Sequence, residues 1–259
     1  MNDQLRVERA DSGAVVRIVL DRPERRNALS ASMVAALTSE LSRLDSDGDV
    51  RVVAISGAGT DFCAGADLRE VRASIDAGVL ASLADAQALG DLFVTMRRMS
   101  KPIVAVVHGR ALAGGCGLAT ACDLVVAARG ASFGYPEVRL GFVAAMVMAI
   151  LRRSTGESRA FELVALGETI DAQTAAQYGI VNRVFPDESF DEQVTTFLAD
   201  LASRSASAVS LTKRLLYQID GVDFEAAIRA GAQVNALARM TDDCRDGIDR
   251  FLGDSKGNV

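Results

Sequence analysis

Histidine is nearly missing from this chain: His108 is the only one among 259 residues. Any Ser-His-Asp relay, Cys-His pair or His-rich metal site would have to be built on that single imidazole. Acid–base chemistry therefore falls to the carboxylates, of which there are 34. Cysteine is scarce as well. Cys63, Cys116, Cys122 and Cys244 form no CxxC pair, which argues for reduced thiols and against a metal cluster or a disulfide framework. Proline, at 4 residues beside 22 glycines, is too sparse for a linker-rich chain, and an apolar share of 49% is ample for a core; disorder is excluded as the main state. No uninterrupted run reaches the ~18 apolar residues of a membrane span. The opening MNDQLRVERADSG lacks the basic start and apolar stretch of a signal peptide. The 28 Lys and Arg are scattered in a chain of net charge −6, so there is no electrostatic footprint for nucleic acid, RNA included. The expectation is a soluble, cytoplasmic protein with one large α/β domain or one domain with an appendage.

Strand-like and helix-like text alternate along the first two thirds. LRVERADSGAVVRIVLD reads as two strands around a turn at Asp11-Ser12-Gly13. Ser30 is placed to cap a helix whose apolar positions Met33, Leu37, Leu41 and Leu44 recur every three or four residues. VRVVAISGAG reads as a buried strand, residues 75–99 as one long amphipathic helix, Pro102–Val107 and Leu124–Ala127 as further strands, and about 115–121 as a short helix of small residues. After a strand in IVNRVF the text is helical to the end. This divides the chain into a core over 1–195 and a helical region over 196–259. No internal repeat of fixed period is visible.

Two turns rich in Gly and Ala follow apolar strands and precede helices: CAGAD at 63–67 and AGGCG at 113–117. Glycine lets a carbonyl group approach the backbone closely, and a helix start offers unpaired N–H groups with partial positive charge. Two such turns facing one another would make an oxyanion hole; for either turn alone, tight strand–helix packing is the commoner explanation of small residues. Neither turn fits GxxxxGK[ST] or GxGxxG, which disfavours nucleotide phosphate binding in those modes. Cys63 and Cys116 have no His or Lys in their segments to activate a thiol, so they read as small buried fillers.

The segments DRPERRNALS, SGAGTDFCAGADLRE, KPIVAVVHGRALAGGCGLATACDLVVAA, ASFGYPEVRLGF and AAQYGIVNRVFP stand in an order and spacing that resembles the crotonase (enoyl-CoA hydratase/isomerase) superfamily, over roughly residues 15–187. The resemblance implies a spiral of ββα turns followed by C-terminal helices that build a homotrimer or a dimer of trimers. It also implies an acyl-CoA thioester substrate, with CoA entering as part of that substrate and no metal or separate cofactor required. Carried over by position, the backbone N–H groups of Ala66 and Gly114 would hold the thioester oxyanion. Ala64, Asp67, Leu68 and Arg69 would line the CoA channel, and Arg25 would stand near the CoA phosphates, although a solvated surface charge explains Arg25 as simply. The closing FLGDSKGNV departs from the basic, proline-containing ending of the family.

Hydratases of this family carry two glutamates. The second is matched by Glu137 in GYPEVRLG; the first is replaced by Gly117 in GGCGLA. Two carboxylates divide the handling of water from the handling of the C2 proton, and one carboxylate does not. The resemblance of this local text is to a branch that lacks the first glutamate and hydrates branched or glutaconyl-type enoyl-CoAs, so hydration is favoured. A Δ3–Δ2-enoyl-CoA isomerase with Glu137 as sole proton shuttle is the alternative, and a catalytically silent acyl-CoA-binding protein is the alternative of another class. Tyr135, two residues before Glu137, would face the same side on an extended segment and is a candidate substrate contact. His108 is expected to be a hydrogen-bonded structural residue.

Overall fold

The computed structural model describes residues 4–254. The last five residues of FLGDSKGNV lie outside them, and with them the expectation about the chain's ending. The order of elements is β1 (Leu5–Arg9), β2 (Val15–Leu20), α1 (Ala31–Asp45), β3 (Val52–Gly57), α2 (Leu68–Asp76), α3 (Val79–Arg98), β4 (Ile103–Val107), β5 (Arg110–Leu112), α4 (Gly114–Ala121), β6 (Leu124–Ala128), β7 (Ser132–Gly134), α5 (Ala145–Thr155), α6 (Glu157–Leu166), β8 (Thr169–Asp171), α7 (Ala172–Gln177), β9 (Arg183–Phe185), α8 (Phe190–Ala202), α9 (Ala206–Gln218), α10 (Phe224–Ala238) and α11 (Asp242–Asp254).

Six strands form one sheet in the order β1-β2-β3-β4-β6-β9, with β1 antiparallel to β2 and every other pair parallel. Alternate residues of the inner strands serve opposite faces. Val53, Ile55, Ile103, Ala105 and Val107 point into the main core with α1, α3 and α4, while Val52, Ala54, Val104, Val106 and Val126 meet Phe190, Val194 and Leu198 of α8. Burial on both faces is why these strands read as continuous apolar text. Ser30 does cap α1, its Oγ accepting from Met33 N at 3.1 Å.

A second sheet, β5-β7-β8, is built from three strands too short to show a period in the sequence. The long helix expected over 75–99 is instead two: Gly78, at φ 98°, ends α2 and caps α3. By length and composition α3 alone among the described helices could cross a membrane; its Leu92, Phe93 and Met96 are buried in the core. The expected boundary at 195/196 falls inside α8, an unbroken helix held to the sheet by Phe190, Val194 and Leu198. The break between core and helical region therefore lies between α8 and α9. Lys213 anchors α9 to the core: its Nζ donates to Met96 O at 3.0 Å, Lys101 O at 2.9 Å and Asp123 Oδ2 at 2.7 Å, and Tyr217 donates to Asp123 Oδ1 at 2.8 Å.

The three segments that carry the expected site residues leave the carboxyl ends of three adjacent parallel strands: 58–67 after β3, 108–117 after β4 and 129–137 after β6. In an open parallel sheet that edge is where ligands bind.

Candidate active site

Ala66 takes part in a parallel bridge with Leu29, in which Leu29 N donates to Gly65 O at 2.8 Å and Asp67 N donates to Leu29 O at 2.9 Å. Such a bridge uses the groups on either side of Ala66 and turns its own N–H the other way. Gly114 opens α4, where the first intrahelical bond is Gly117 N to Ala113 O; its N–H is one of the orphans of a helix start. Neither N–H meets an acceptor among the described residues. The two are neighbours: a Cβ on Gly114 would stand 3.7 Å from Ala66 N, and one on Gly65 would stand 3.3 Å from Gly114 N. Ala113 just before the helix is held at φ 52°, ψ −129°, a conformation costly for any residue with a Cβ. The bond from Ala113 N to Gly134 O at 2.8 Å, together with β5–β7 pairing, keeps it there.

Glu137 lies in a 3-10 turn, Pro136–Leu140, and is 9% exposed. Its Oε2 is buried with no hydrogen-bond partner among the described residues. Burial raises its pKa above the usual carboxylate value, partly countered by a backbone hydrogen bond. A buried carboxyl with one oxygen left without a partner is the kind of perturbed group that active sites collect. Glu137 acts electrostatically on Cys116 of α4, two residues after Gly114: burial, with Glu137's charge adding to it, pushes that thiol up to about 12.

The whole chain can now be set beside known proteins. A family profile described as Enoyl-CoA hydratase/isomerase matches residues 10–258. The chain belongs to the enoyl-CoA hydratase/isomerase family. A Thermus thermophilus protein with a provisional enoyl-CoA hydratase name is 39% identical over 242 residues, 93% of this chain and 96% of its own. The 2,3-dehydroadipyl-CoA hydratase of Escherichia coli is 36% identical over 239 residues, 92% of each chain. The crystal structure of an enoyl-CoA hydratase from Mycobacterium smegmatis superposes with a TM-score of 0.93 at 32% identity, covering 97% of this chain and 96% of that one. The crotonase fold expected from the sequence is thus the fold found, and the activity is of the enoyl-CoA hydratase type.

Within this family member the structure gathers Arg25, Ala64, Asp67, Leu68 and Arg69 on one rim beside Ala66. Ala64 N donates to Arg26 O at 2.9 Å, Arg25, Leu68 and Arg69 are exposed, and Arg25 acts electrostatically on Asp67. Asp67 itself is engaged: it caps α2 by accepting from Arg69 N at 3.1 Å and pairs with Arg22 Nη2 at 3.0 Å. Burial opposes its ionisation, but these bonds outweigh it and hold the carboxyl below its ordinary range.

Tyr135 is buried behind Glu137, whose charge acts on it. It is 1% exposed, its hydroxyl lies 3.2 Å from Thr120 Oγ1, and burial pushes its pKa well up. Because the 3-10 turn begins at Pro136, the extended alternation that would align Tyr135 with Glu137 ends between them. Cys63, pushed up to about 12 by burial, is a core residue like Cys116. His108 Nε2 lies 3.0 Å from Gly59 O. Among the described residues no group of three or more His, Cys, Asp or Glu is placed to hold a metal.

At Gly117 no empty space awaits a side chain. Val147 of α5 and Phe93 of α3 close over it, a packing no local pattern announces. Sequence reasoning also missed Asn27, fully buried at φ 55°, whose Oδ1 accepts from Arg22 N at 3.0 Å and whose Nδ2 donates to Ala58 O and Asp61 O at 2.8 and 2.7 Å. The signal was available: Asn in a left-handed turn position is the residue that tolerates it and bonds locally.

Proposed function

We propose that the enzyme adds water across the double bond of a 2-enoyl-CoA, with the Ala66 and Gly114 N–H groups holding the thioester oxyanion and Glu137 acting as acid and base. The observation that carries this is the pair of adjacent, acceptor-free N–H groups of Ala66 and Gly114, together with a buried Glu137 whose Oε2 has no partner among the described residues. Charge that develops on a thioester oxygen in a dry site is best met by preorganised donors, each worth roughly 3–4 kcal/mol. In the hydration direction, water gives its oxygen to C3 and a proton reaches C2, so the proton lost by water equals the proton gained by carbon. A carboxyl whose pKa burial raises is better suited to both accept and return it. The rim of Arg25, Ala64, Asp67, Leu68 and Arg69 would receive the CoA moiety, which arrives with the substrate; the chemistry asks for no metal or separate cofactor.

A branched or glutaconyl-type acyl group remains the substrate class we favour, in keeping with the name of the Escherichia coli relative. The packing of Val147 and Phe93 over Gly117 favours a second reading, Δ3–Δ2 isomerisation, since it leaves Glu137 alone to move a proton between C2 and C4. Crotonyl-CoA hydration and 3-hexenoyl-CoA isomerisation, assayed side by side for wild type and Glu137→Gln, separate the two. Full activity in the variant refutes the assignment of Glu137. Binding of acyl-CoA with no turnover on a broad enoyl-CoA panel would instead support a silent binding protein. We place the enzyme in the cytoplasm as a homotrimer or a dimer of trimers. Phe224, Ile228, Leu237 and Met240 along α10 and its end, all more than half exposed, supply apolar surface for that assembly; sedimentation of a monomer at micromolar concentration would refute it.

A further inference from the structure

The two segments that end in the oxyanion donors are joined where they begin. Asp61 opens the stretch that ends at Ala66, and Arg110 opens the stretch that ends at Gly114. The Asp61 carboxylate is 3% exposed and accepts three bonds from one residue: Arg110 N at 3.1 Å and Nε at 2.7 Å on Oδ1, and Nη2 at 2.8 Å on Oδ2. The guanidinium fork draws the carboxyl below its ordinary pKa, against the cost of burial.

Beyond this pair the two segments run together as a short parallel ladder. Phe62 N donates to His108 O at 3.0 Å, Cys63 N to Arg110 O at 3.1 Å, and Leu112 N to Cys63 O at 2.9 Å. Asn27 Nδ2 grips Asp61 O from behind. The strands touch too closely for a side chain at either end, since a Cβ on Gly109 would overlap Thr60 O and one on Gly115 would overlap Cys63 O. A ladder this short has few bonds to hold its register. A bidentate arginine–carboxylate fork adds directional constraint that an apolar contact lacks.

We infer that Asp61 and Arg110 are positioning residues for the oxyanion hole: their fork sets the register of 61–66 against 110–114, and with it the separation of the Ala66 and Gly114 N–H groups. The inference rests on the proposed role of those two N–H groups. Donors act only within about 2.7–3.1 Å of the developing oxyanion, and a misplacement of about 1 Å costs on the order of 100-fold in rate. Asp61→Asn keeps the volume but sets an amide NH2 against guanidinium donors. Arg110→Lys keeps the charge but removes the fork.

The test is difference infrared spectroscopy of hexanoyl-CoA, labelled with 13C at the thioester carbonyl, bound to the folded enzyme, together with kcat, KM and Tm. Wild type is expected to shift the carbonyl stretch to lower frequency than in water. Both variants are expected to lose at least half of that shift and about 10- to 100-fold in kcat, with the Kd for hexanoyl-CoA changed less than about threefold. The double variant is expected to lose no more than Asp61→Asn alone, as residues acting through one pair require. If Asp61→Asn fails to fold, Arg110→Lys carries the comparison. A variant that retains the full carbonyl shift, whatever its Tm or kcat, overturns the positioning role. A wild-type enzyme with no carbonyl shift overturns the oxyanion assignment itself, and the two failures are thereby distinct.

Discussion

Replacing Gly117 by glutamate would restore the carboxylate that two-glutamate hydratases carry, and the structure predicts that the single change fails. A Cβ at 117 lands 2.3 Å from Val147 Cγ1 and 3.5 Å from Phe93 Cζ, where carbon atoms normally stay about 3.5–4.0 Å apart. Val147 is 3% exposed and has little room to turn away. Overpacking of this kind costs about 1–3 kcal/mol, and a carboxyl left without partners in the same pocket adds about 1–3 kcal/mol. For a chain of this length, each kcal/mol shifts Tm by roughly 2–4 °C. Gly117→Glu should therefore melt some ~5–20 °C below wild type, with no gain in crotonyl-CoA hydration. Adding Val147→Gly removes the clashing methyls, so the double variant should melt above Gly117→Glu alone and hydrate crotonyl-CoA faster than it. Calorimetry and the ultraviolet absorbance of crotonyl-CoA, followed at roughly neutral pH, read both effects. A Gly117→Glu enzyme as stable as wild type, or a double variant less stable than the single one, refutes the packing argument.

Glu137→Gln should lower kcat by about 100- to 10,000-fold, the range of a lost general acid–base, with a small change in acyl-CoA affinity. The same variant should alter stability in a pH-dependent way. Burial raises the Glu137 pKa, so the native state holds that proton more tightly than the unfolded chain and ionisation destabilises it. Glutamine should accordingly raise Tm above the raised pKa and lose that advantage as pH falls below the ordinary carboxylate range; a pH-independent difference in Tm contradicts this. Ala113→Gly relieves a residue held at φ 52° and should gain about 1 kcal/mol in denaturant unfolding, while kcat falls because the backbone leading into the Gly114 N–H is less constrained. Lys213→Met leaves the part-buried Asp123 without its cation and should cost about 1–3 kcal/mol; unfolding at an unchanged midpoint would show that α9 is held by its apolar contacts alone.

Much of the frame was legible because it rests on local rules. Asp11-Ser12-Gly13 between two β-branched runs gave the hairpin of β1 and β2, Ser30 gave the start of α1, and uninterrupted apolar text gave β3 and β4. Less legible was anything that depended on partners distant along the chain. The three-residue strands β5, β7 and β8 have no periodicity to read, and they exist because each completes another's hydrogen bonds. Gly78 splits the long helix through a positive φ that a helical pattern tolerates on paper. The extended alternation that would align Tyr135 with Glu137 stops at Pro136, and burial of Tyr135 is a matter of packing that the alternation does not foretell.

The site divides along the same line. From the order of residues alone came the family resemblance, Glu137, the two Gly/Ala turns with Ala66 and Gly114, and the absence of a glutamate at 117. Each is a matter of residue type and spacing, which covalent order determines completely. Tertiary structure alone decided that Ala66 N and Gly114 N are neighbours, that Glu137 keeps an oxygen unpartnered, that Asp61 and Arg110 join the segments behind the donors, and that Val147 already fills the place beside Gly117. Those facts are distances between atoms far apart in the chain, and a distance of that kind is created only when the sheet, its register and the helices over it are assembled.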